Sequence, residues 1–168
     1  MSAQEVIDQI VGDSCIELFS DYSLQLRARE AATVEAAVPL LYCGVVGFSG
    51  EEMRGTLLLG TSREPLGRTS PANDSSLREW IAELSNQLLG RIKNKLLTRG
   101  VNLHLSTPIV LRGEHIAPVG RAELVPLAFT CDGGLVCVWL DYELKPGIDI
   151  SKTVTLEDQM IEGSSMLF

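Results

Sequence analysis

The segment from Ser76 to Gly100 has the apolar spacing of one long amphipathic helix, and it constrains the fold more than any other part of the chain. Ser76 with Glu79 three residues later has the spacing of a capping box, and a terminal glycine is the usual stop signal. At about 100° per residue, one broad side of this helix is apolar and must be buried. The side chains on that side are Leu77, Trp80, Ile81, Leu84, Leu88, Ile92 and Leu96.

The remaining segments predict one more helix and a set of strands. Residues 4–20 have apolar side chains at helical spacing, whereas the other apolar runs alternate or are flanked by turn residues. The predicted strands are residues 24–29, 38–48, 53–61, 101–111, 123–131 and 135–142, and residues 62–75 are predicted to be a polar loop. Two helices are too few to cross over between every pair of strands. The prediction is therefore an α+β fold, with two helices packed on an extended, largely antiparallel β-sheet.

Length and charge limit the class of protein. The chain has 168 residues, which is enough for one domain with its own core. We expect a single domain over residues 1–150 and a partly mobile C-terminal tail over residues 151–168. The formal net charge of −8 argues against nucleic acid and against anionic membrane surfaces as partners. The sequence has no signal-peptide pattern and no long apolar run, so a cytoplasmic location is expected.

The four cysteines lie in apolar surroundings and form no Cys-x-x-Cys pair. In a reducing compartment such cysteines are usually small buried hydrophobic residues, and this is the expected role here. The alternative is a zinc site, although the spacing of its candidate ligands matches no common metal pattern. Those candidates are Cys131, Cys137, His104 and His115.

The polar side of the long helix carries the candidate functional residues. Glu83 and Asn86 are three residues apart, so their side chains project from neighbouring positions on one face. Glu79 lies one turn before Glu83, and Gly90 lies one turn after Asn86. A glycine in a helix interior costs about 1 kcal/mol relative to alanine, but it lets a partner surface approach closely. We therefore expect Glu83 and Asn86 to be exposed and able to act on one target.

Three segments together resemble the CheC/CheX/FliY family of chemotaxis phosphatases. Residues 82–90 contain Glu83-Leu84-Ser85-Asn86 and resemble the active helix of that family, in which Glu and Asn are separated by two residues. Residues 105–113 resemble the Ser-x-Pro strand and the glycine that follow this helix in CheX-like members. Residues 47–59 resemble the first hairpin of the family. The resemblance covers about residues 5–145, and it implies two helices on an antiparallel sheet.

This resemblance implies hydrolysis of the aspartyl phosphate on a CheY-type response regulator. In that reaction Asn86 positions the attacking water, and Glu83 pairs with the lysine beside the phosphate of the regulator. Glu79, Gln87 and Gly90 are expected to contact the partner. Gln87 is also a rival for the water-positioning role, but it points closer to the sheet, and we favour Asn86. The first helix lacks the motif, so one site per chain is expected.

The same resemblance implies that this chain binds no cofactor, because the Mg²⁺ belongs to the response regulator. CheX-like members tend to be homodimers, and homodimerisation is expected here from kinship alone. Two other functions remain open at this point. One is a non-catalytic adaptor or flagellar-switch-type module that binds receiver domains, and the other is an unrelated α+β domain whose apolar edge strands drive oligomerisation.

Overall fold

The structure, a computed structural model, describes residues 1–30, 39–71, 76–119 and 124–154. Three helices and seven strands lie within these residues. In chain order they are α1 (Ala3–Asp21), β1 (Arg27–Arg29), β2 (Tyr42–Ser49), β3 (Met53–Thr61), α2 (Arg63–Thr69), α3 (Leu77–Leu97), β4 (His104–Leu105), β5 (Ile109–Arg112), β6 (Leu127–Cys131) and β7 (Gly134–Leu144). No helix in these ranges is both long and apolar enough to cross a membrane.

The strands form one sheet in the order β1-β6-β7-β3-β2-β4, and β5 also pairs with β2. Every pairing is antiparallel. β2 and β3 form the predicted hairpin, with Ser49 opposite Arg54 at its closed end. β6 and β7 are joined by the predicted turn, in which Gly133 has φ +82°, a conformation that glycine adopts without strain. The predicted α+β fold with a largely antiparallel sheet is confirmed.

Helices α1 and α3 share the main hydrophobic core with one face of the sheet. The predicted apolar side of α3 is buried except for Leu77, which is half-buried, and the buried arc also includes Ser85 and Leu89. α3 lies directly on β2 at Gly44, where an added Cβ would be 1.9 Å from Ser85 Oγ. This contact fixes the height of the helix above the sheet. Because its inner side is pressed against β2, the opposite side of α3 faces outward.

The prediction of a polar loop over residues 62–75 is wrong for its first half, which contains α2. Pro65 is tolerated in the first turn of a helix, and Pro65, Leu66 and Thr69 bury their side chains against the rest of the protein. Residues 72–75 lie outside the described residues. Proline and glycine in this segment indicated a loop, but tertiary burial stabilises a short helix.

The predicted strand over residues 101–111 is interrupted between β4 and β5. Both short strands pair with β2, and Ser106 lies between them. The Ser106 backbone N–H donates to the Gly47 carbonyl at 2.9 Å, and the Gly47 N–H donates to Ser106 Oγ at 2.9 Å. The serine side chain thus takes the place of a backbone acceptor where the strand bends before Pro108, which has no N–H to donate. The Ser-x-Pro pattern has a structural role here.

The structure describes the C-terminal end of the predicted domain and only the first residues of the tail that follows it. Near the C-terminal end, Ile150 is buried in the main core, and its carbonyl accepts a hydrogen bond from Arg99 at 2.7 Å. The predicted tail over residues 151–168 is described only as far as Val154, whose N–H donates to the Thr98 carbonyl. The rest of the tail lies outside the described residues, so its predicted mobility stays a prediction. Residue 38, the predicted start of a strand, also lies outside them.

Candidate active site

The outward side of α3 is formed by an uninterrupted helix. At its start, Ser76 Oγ accepts a hydrogen bond from the Glu79 N–H at 3.1 Å, which is the serine half of the predicted capping box. Beyond its end, Gly100 has φ +83° and turns the chain away from the helix axis. Positions 83, 86 and 90 are therefore held on a rigid element, away from both helix ends.

Glu83 and Asn86 lie side by side on this surface. Glu83 is exposed as predicted, whereas Asn86, also predicted to be exposed, is half-buried. Side chains three apart on a helix are about 5–6 Å from each other at Cβ, so both can contact a single small target. Within the described part of the chain, the Asn86 amide forms no side-chain hydrogen bond. Its carbonyl can therefore accept, and its NH₂ can donate, without breaking an internal contact.

On the side of Glu83 away from Asn86, Gln87 holds the Glu83 carboxylate by a hydrogen bond. Gln87 Nε2 donates to Glu83 Oε1 at 3.0 Å, and Gln87 Oε1 accepts from the Tyr22 hydroxyl at 2.9 Å. Both polar atoms of the Gln87 side chain are thus engaged within the molecule. This pairing disfavours Gln87 as the residue that positions a water. Gln87 was predicted to point closer to the sheet than Asn86 does; the structure places it half-buried beside the end of α1, where it contacts Tyr22.

Tyr22 was not predicted as part of the site, because it lies 65 residues before Gln87 in the chain and no spacing links the two. Its ring meets the Trp80 ring edge to face, with centroids 5.0 Å apart and planes at 87°. Trp80 Nε1 in turn donates to Thr69 Oγ1 at 2.8 Å, and Thr69 Oγ1 donates to the Pro65 carbonyl at 2.7 Å. The short helix α2 thereby supports the tryptophan against which Tyr22 rests.

Two ion pairs join α1 to α3 beside these residues. Arg91 pairs with Asp21, and Lys95 Nζ lies 3.0 Å from Glu17 Oε2. Exposed pairs of this kind contribute about 0–1 kcal/mol each, so their main effect is to fix how the two helices align. Through these pairs, Arg91 and Lys95 lie at the border between α3 and α1.

The two other predicted contact residues are placed as the helix pattern indicated. Glu79 is exposed one turn before Glu83, and Gly90 is half-buried one turn after Asn86. A Cβ added to Gly90 would meet nothing within 4 Å. The fold therefore has no steric need for a glycine at this position.

The predicted burial of the four cysteines is confirmed. Burial raises the pKa of the Cys43 thiol to about 11, and burial also raises the pKa of Cys15. Among residues 1–30, 39–71, 76–119 and 124–154, no three His, Cys, Asp or Glu side chains are grouped so that they could hold a metal ion. The structure does not bring Cys131, Cys137, His104 and His115 together as a zinc site.

Several solved structures of chemotaxis proteins have a similar fold. The chain is similar to chemotaxis protein CheX from Vibrio vulnificus, with 16% identity and TM-score 0.70 over 82% of this chain and 99% of that one. It is similar to a CheC-like superfamily protein from Shewanella sp. PV-4, with 18% identity and TM-score 0.68 over 85% and 99%. A third is a chain of the CheX–CheY–BeF₃–Mg²⁺ complex from Borrelia burgdorferi, with 16% identity and TM-score 0.59 over 80% and 96%.

At these identities the structural likeness shows the fold alone. Curated protein sequences give no significant match. A family model described as chemotaxis phosphatase CheX, however, matches residues 42–130, which is more than half of the chain and includes the whole of α3. The predicted kinship is confirmed, and this chain belongs to the CheX family.

Proposed function

We propose that this protein is a phosphatase that hydrolyses the aspartyl phosphate of a CheY-type response regulator. One observation carries the proposal. In a chain of the CheX family, the outward face of α3 presents an uncharged amide with no side-chain hydrogen bond to the described residues, beside a carboxylate held in place. Similarity to the Borrelia burgdorferi CheX–CheY complex supports a CheY-like partner.

Asn86 is the residue assigned to the chemistry. An acyl phosphate is already activated, so the main task is to place a water in line with the P–O bond that breaks. The Asn86 carbonyl accepts a hydrogen bond from this water, while its NH₂ group donates to an oxygen of the water or of the phosphoryl group. Because the amide is neutral, it does not repel the phosphoryl oxygens as a carboxylate would.

Glu83 is assigned to docking. Its exposed carboxylate pairs with the lysine beside the phosphate of the regulator, and a charge pair at the centre of an interface fixes orientation. Glu79 and Gly90 lie on the same face and are assigned to the contact surface. The Mg²⁺ is carried by the regulator, and this chain supplies no ligand to it. Homodimerisation remains a prediction.

The test is the decay rate of a phosphorylated CheY-type receiver domain, measured with and without the protein. We expect faster decay with the wild type and a loss of about 100-fold or more for Asn86→Ala, because misplacing the water removes the gain from positioning. Asn94→Ala is the matched control, since Asn94 is an exposed asparagine on the same helix. Circular dichroism should show all three proteins folded.

The outcomes separate the alternatives. Full activity of Asn86→Ala would refute the assignment of this residue. No acceleration of any of several receivers by the wild type would refute the phosphatase. Binding of the receiver without acceleration would then identify the adaptor function instead.

A further inference from the structure

We propose that Gln87 and Tyr22 are positioning residues that hold the Glu83 carboxylate in its docking orientation. This inference rests on the proposed function and deepens it. Neither residue is assigned contact with the phosphoryl group. Their assigned effect is on how well the partner is recognised and not on the hydrolysis step.

The directions of its two hydrogen bonds fix the orientation of the Gln87 amide. A glutamine amide can be turned by half a rotation, which exchanges its oxygen and nitrogen. The charged Glu83 can only accept, so it selects the orientation in which Nε2 faces it at 3.0 Å. That orientation presents Oε1 to Tyr22, whose hydroxyl donates at 2.9 Å. Each hydrogen bond therefore favours the orientation of the Gln87 amide that the other one requires.

Tyr22, which anchors Gln87, is itself held rigidly. Tyr22 lies at the end of α1, and its ring is packed edge-on against the buried Trp80. Trp80 is fixed by its own hydrogen bond to Thr69. A glutamine alone on a helix surface would be as mobile as the glutamate that it contacts. Here the hydrogen bonds that run from Glu83 through Gln87 end at Tyr22, whose ring packs against Trp80.

One carboxylate oxygen of Glu83 stays available to a partner. Gln87 engages Oε1 of Glu83, while Oε2 keeps its full capacity to accept from a partner ammonium group. A long side chain such as glutamate loses rotamer freedom when it is immobilised in an interface. Holding it before the partner arrives reduces that loss at binding. Asn86 lies on the opposite flank of Glu83 and is not constrained by these bonds.

The chain contains a natural control for this arrangement. The Tyr142 hydroxyl donates to Gln4 Oε1 at 2.9 Å, and Gln4 Nε2 donates to Asp8 Oδ1 at 2.8 Å. This is the same tyrosine–glutamine–carboxylate order, also with the glutamine and acid four residues apart on a helix. It lies at the start of α1, away from Glu83. Changes there test for a general effect of losing such bonds.

The variants are Gln87→Met and Tyr22→Phe, with Gln4→Met and Tyr142→Phe as matched controls. Methionine keeps the length of the glutamine, and phenylalanine keeps the aromatic ring of each tyrosine, including the contact of residue 22 with Trp80, so all four variants should fold. With a phosphorylated receiver as substrate, we expect KM to rise about three- to tenfold for Gln87→Met, with a smaller rise for Tyr22→Phe. The value of kcat should stay within about twofold, and both controls should match the wild type.

A double-mutant cycle tests whether the effect passes through Glu83. In a Glu83→Ala background, Gln87→Met should raise KM by less than about twofold, because the group that it positions is absent. An unchanged KM in the single variant would overturn the proposal. A rise of equal size in the Glu83→Ala background would also overturn it, since the effect would then not depend on the carboxylate.

A measurement without the partner separates this inference from the proposed function. Relaxation of the ¹⁵N-labelled side-chain amides should show Gln87 ordered in the wild type and mobile in Tyr22→Phe. The reference is exposed Gln9, which forms no side-chain hydrogen bond to the described residues. If the wild type lacks phosphatase activity while Gln87 is ordered in this way, the proposed function fails and the holding of Glu83 stands. A Gln87 amide as mobile as that of Gln9 overturns the inference whatever the activity.

Discussion

Substituting Gly90 by alanine should make the protein more stable and less active at the same time. Glycine in a helix interior costs about 1 kcal/mol relative to alanine, chiefly through the entropy of the unfolded chain. At Gly90 an added Cβ would meet nothing within 4 Å, so no clash offsets the gain. A gain of about 1 kcal/mol corresponds to a rise in Tm of about 2–4 °C for a chain of this size.

The expected effect on activity has the opposite sign because the added methyl group lies on the proposed docking face. Gly90 is one turn beyond Asn86, on the surface that the receiver must approach for water to be placed in line. Overpacking a well-fitted contact costs typically about 1–3 kcal/mol, and an interface that can shift slightly should fall at the lower end. About 1 kcal/mol corresponds to roughly a fivefold loss in kcat/KM.

The assay pairs thermal unfolding with receiver dephosphorylation, and Gly12→Ala is the control. Gly12 is also half-buried in the middle of a long helix, and its added Cβ would make an ordinary contact of 3.9 Å with Leu127. This variant should gain a similar amount of stability and keep its activity. If Gly90→Ala is stabilised and as active as the wild type, the assignment of Gly90 to the contact surface is refuted.

Three further outcomes are expected. Gly44→Ala should lower the free energy of unfolding by about 1–3 kcal/mol in urea titration, since its Cβ would lie 1.9 Å from Ser85 Oγ; an unchanged midpoint would contradict the close packing of α3 on β2. Asn86→Asp should be as inactive in the decay assay as Asn86→Ala, because a carboxylate adds repulsion and cannot donate; near-normal activity would mean that the neutral amide is not needed. Cys43, whose pKa burial raises to about 11, should react with Ellman's reagent at pH 8 only after unfolding, because the thiolate is the reactive form; rapid labelling of the native protein would show that the strand opens.

The long helix and the hairpins could be predicted because their signals are local. The apolar period of α3, its serine cap and its terminal glycine all lie within one segment. The turn at Gly133 is likewise a short-range signal between two apolar runs. The helix α2 was missed for the converse reason, since it is stabilised by burial of Pro65 and Leu66 against elements that are distant in sequence.

The residues of the candidate site also differ in whether their positions follow from local sequence signals. Glu83, Asn86 and Gly90 follow one another at intervals of three and four residues along a predicted helix, so their common face follows from helical geometry. Tyr22 reaches Gln87 only because α1 packs beside α3, and no spacing in the sequence specifies that contact. The groups assigned to the chemistry could therefore be predicted, whereas their support could not.

Other chains can also carry glutamate and asparagine three residues apart on an exposed helix. The pair alone is short and arises readily by chance, so it says little about whether the carboxylate is held or free. In this protein the distinguishing feature is a second helix that brings a hydroxyl to the residue after the asparagine. A chain with the same pair but with no donor on the neighbouring helix would leave its glutamate mobile, and it would have to order that side chain when the partner binds. The packing of α1 on α3, and not the motif, then determines how well the docking group is preorganised.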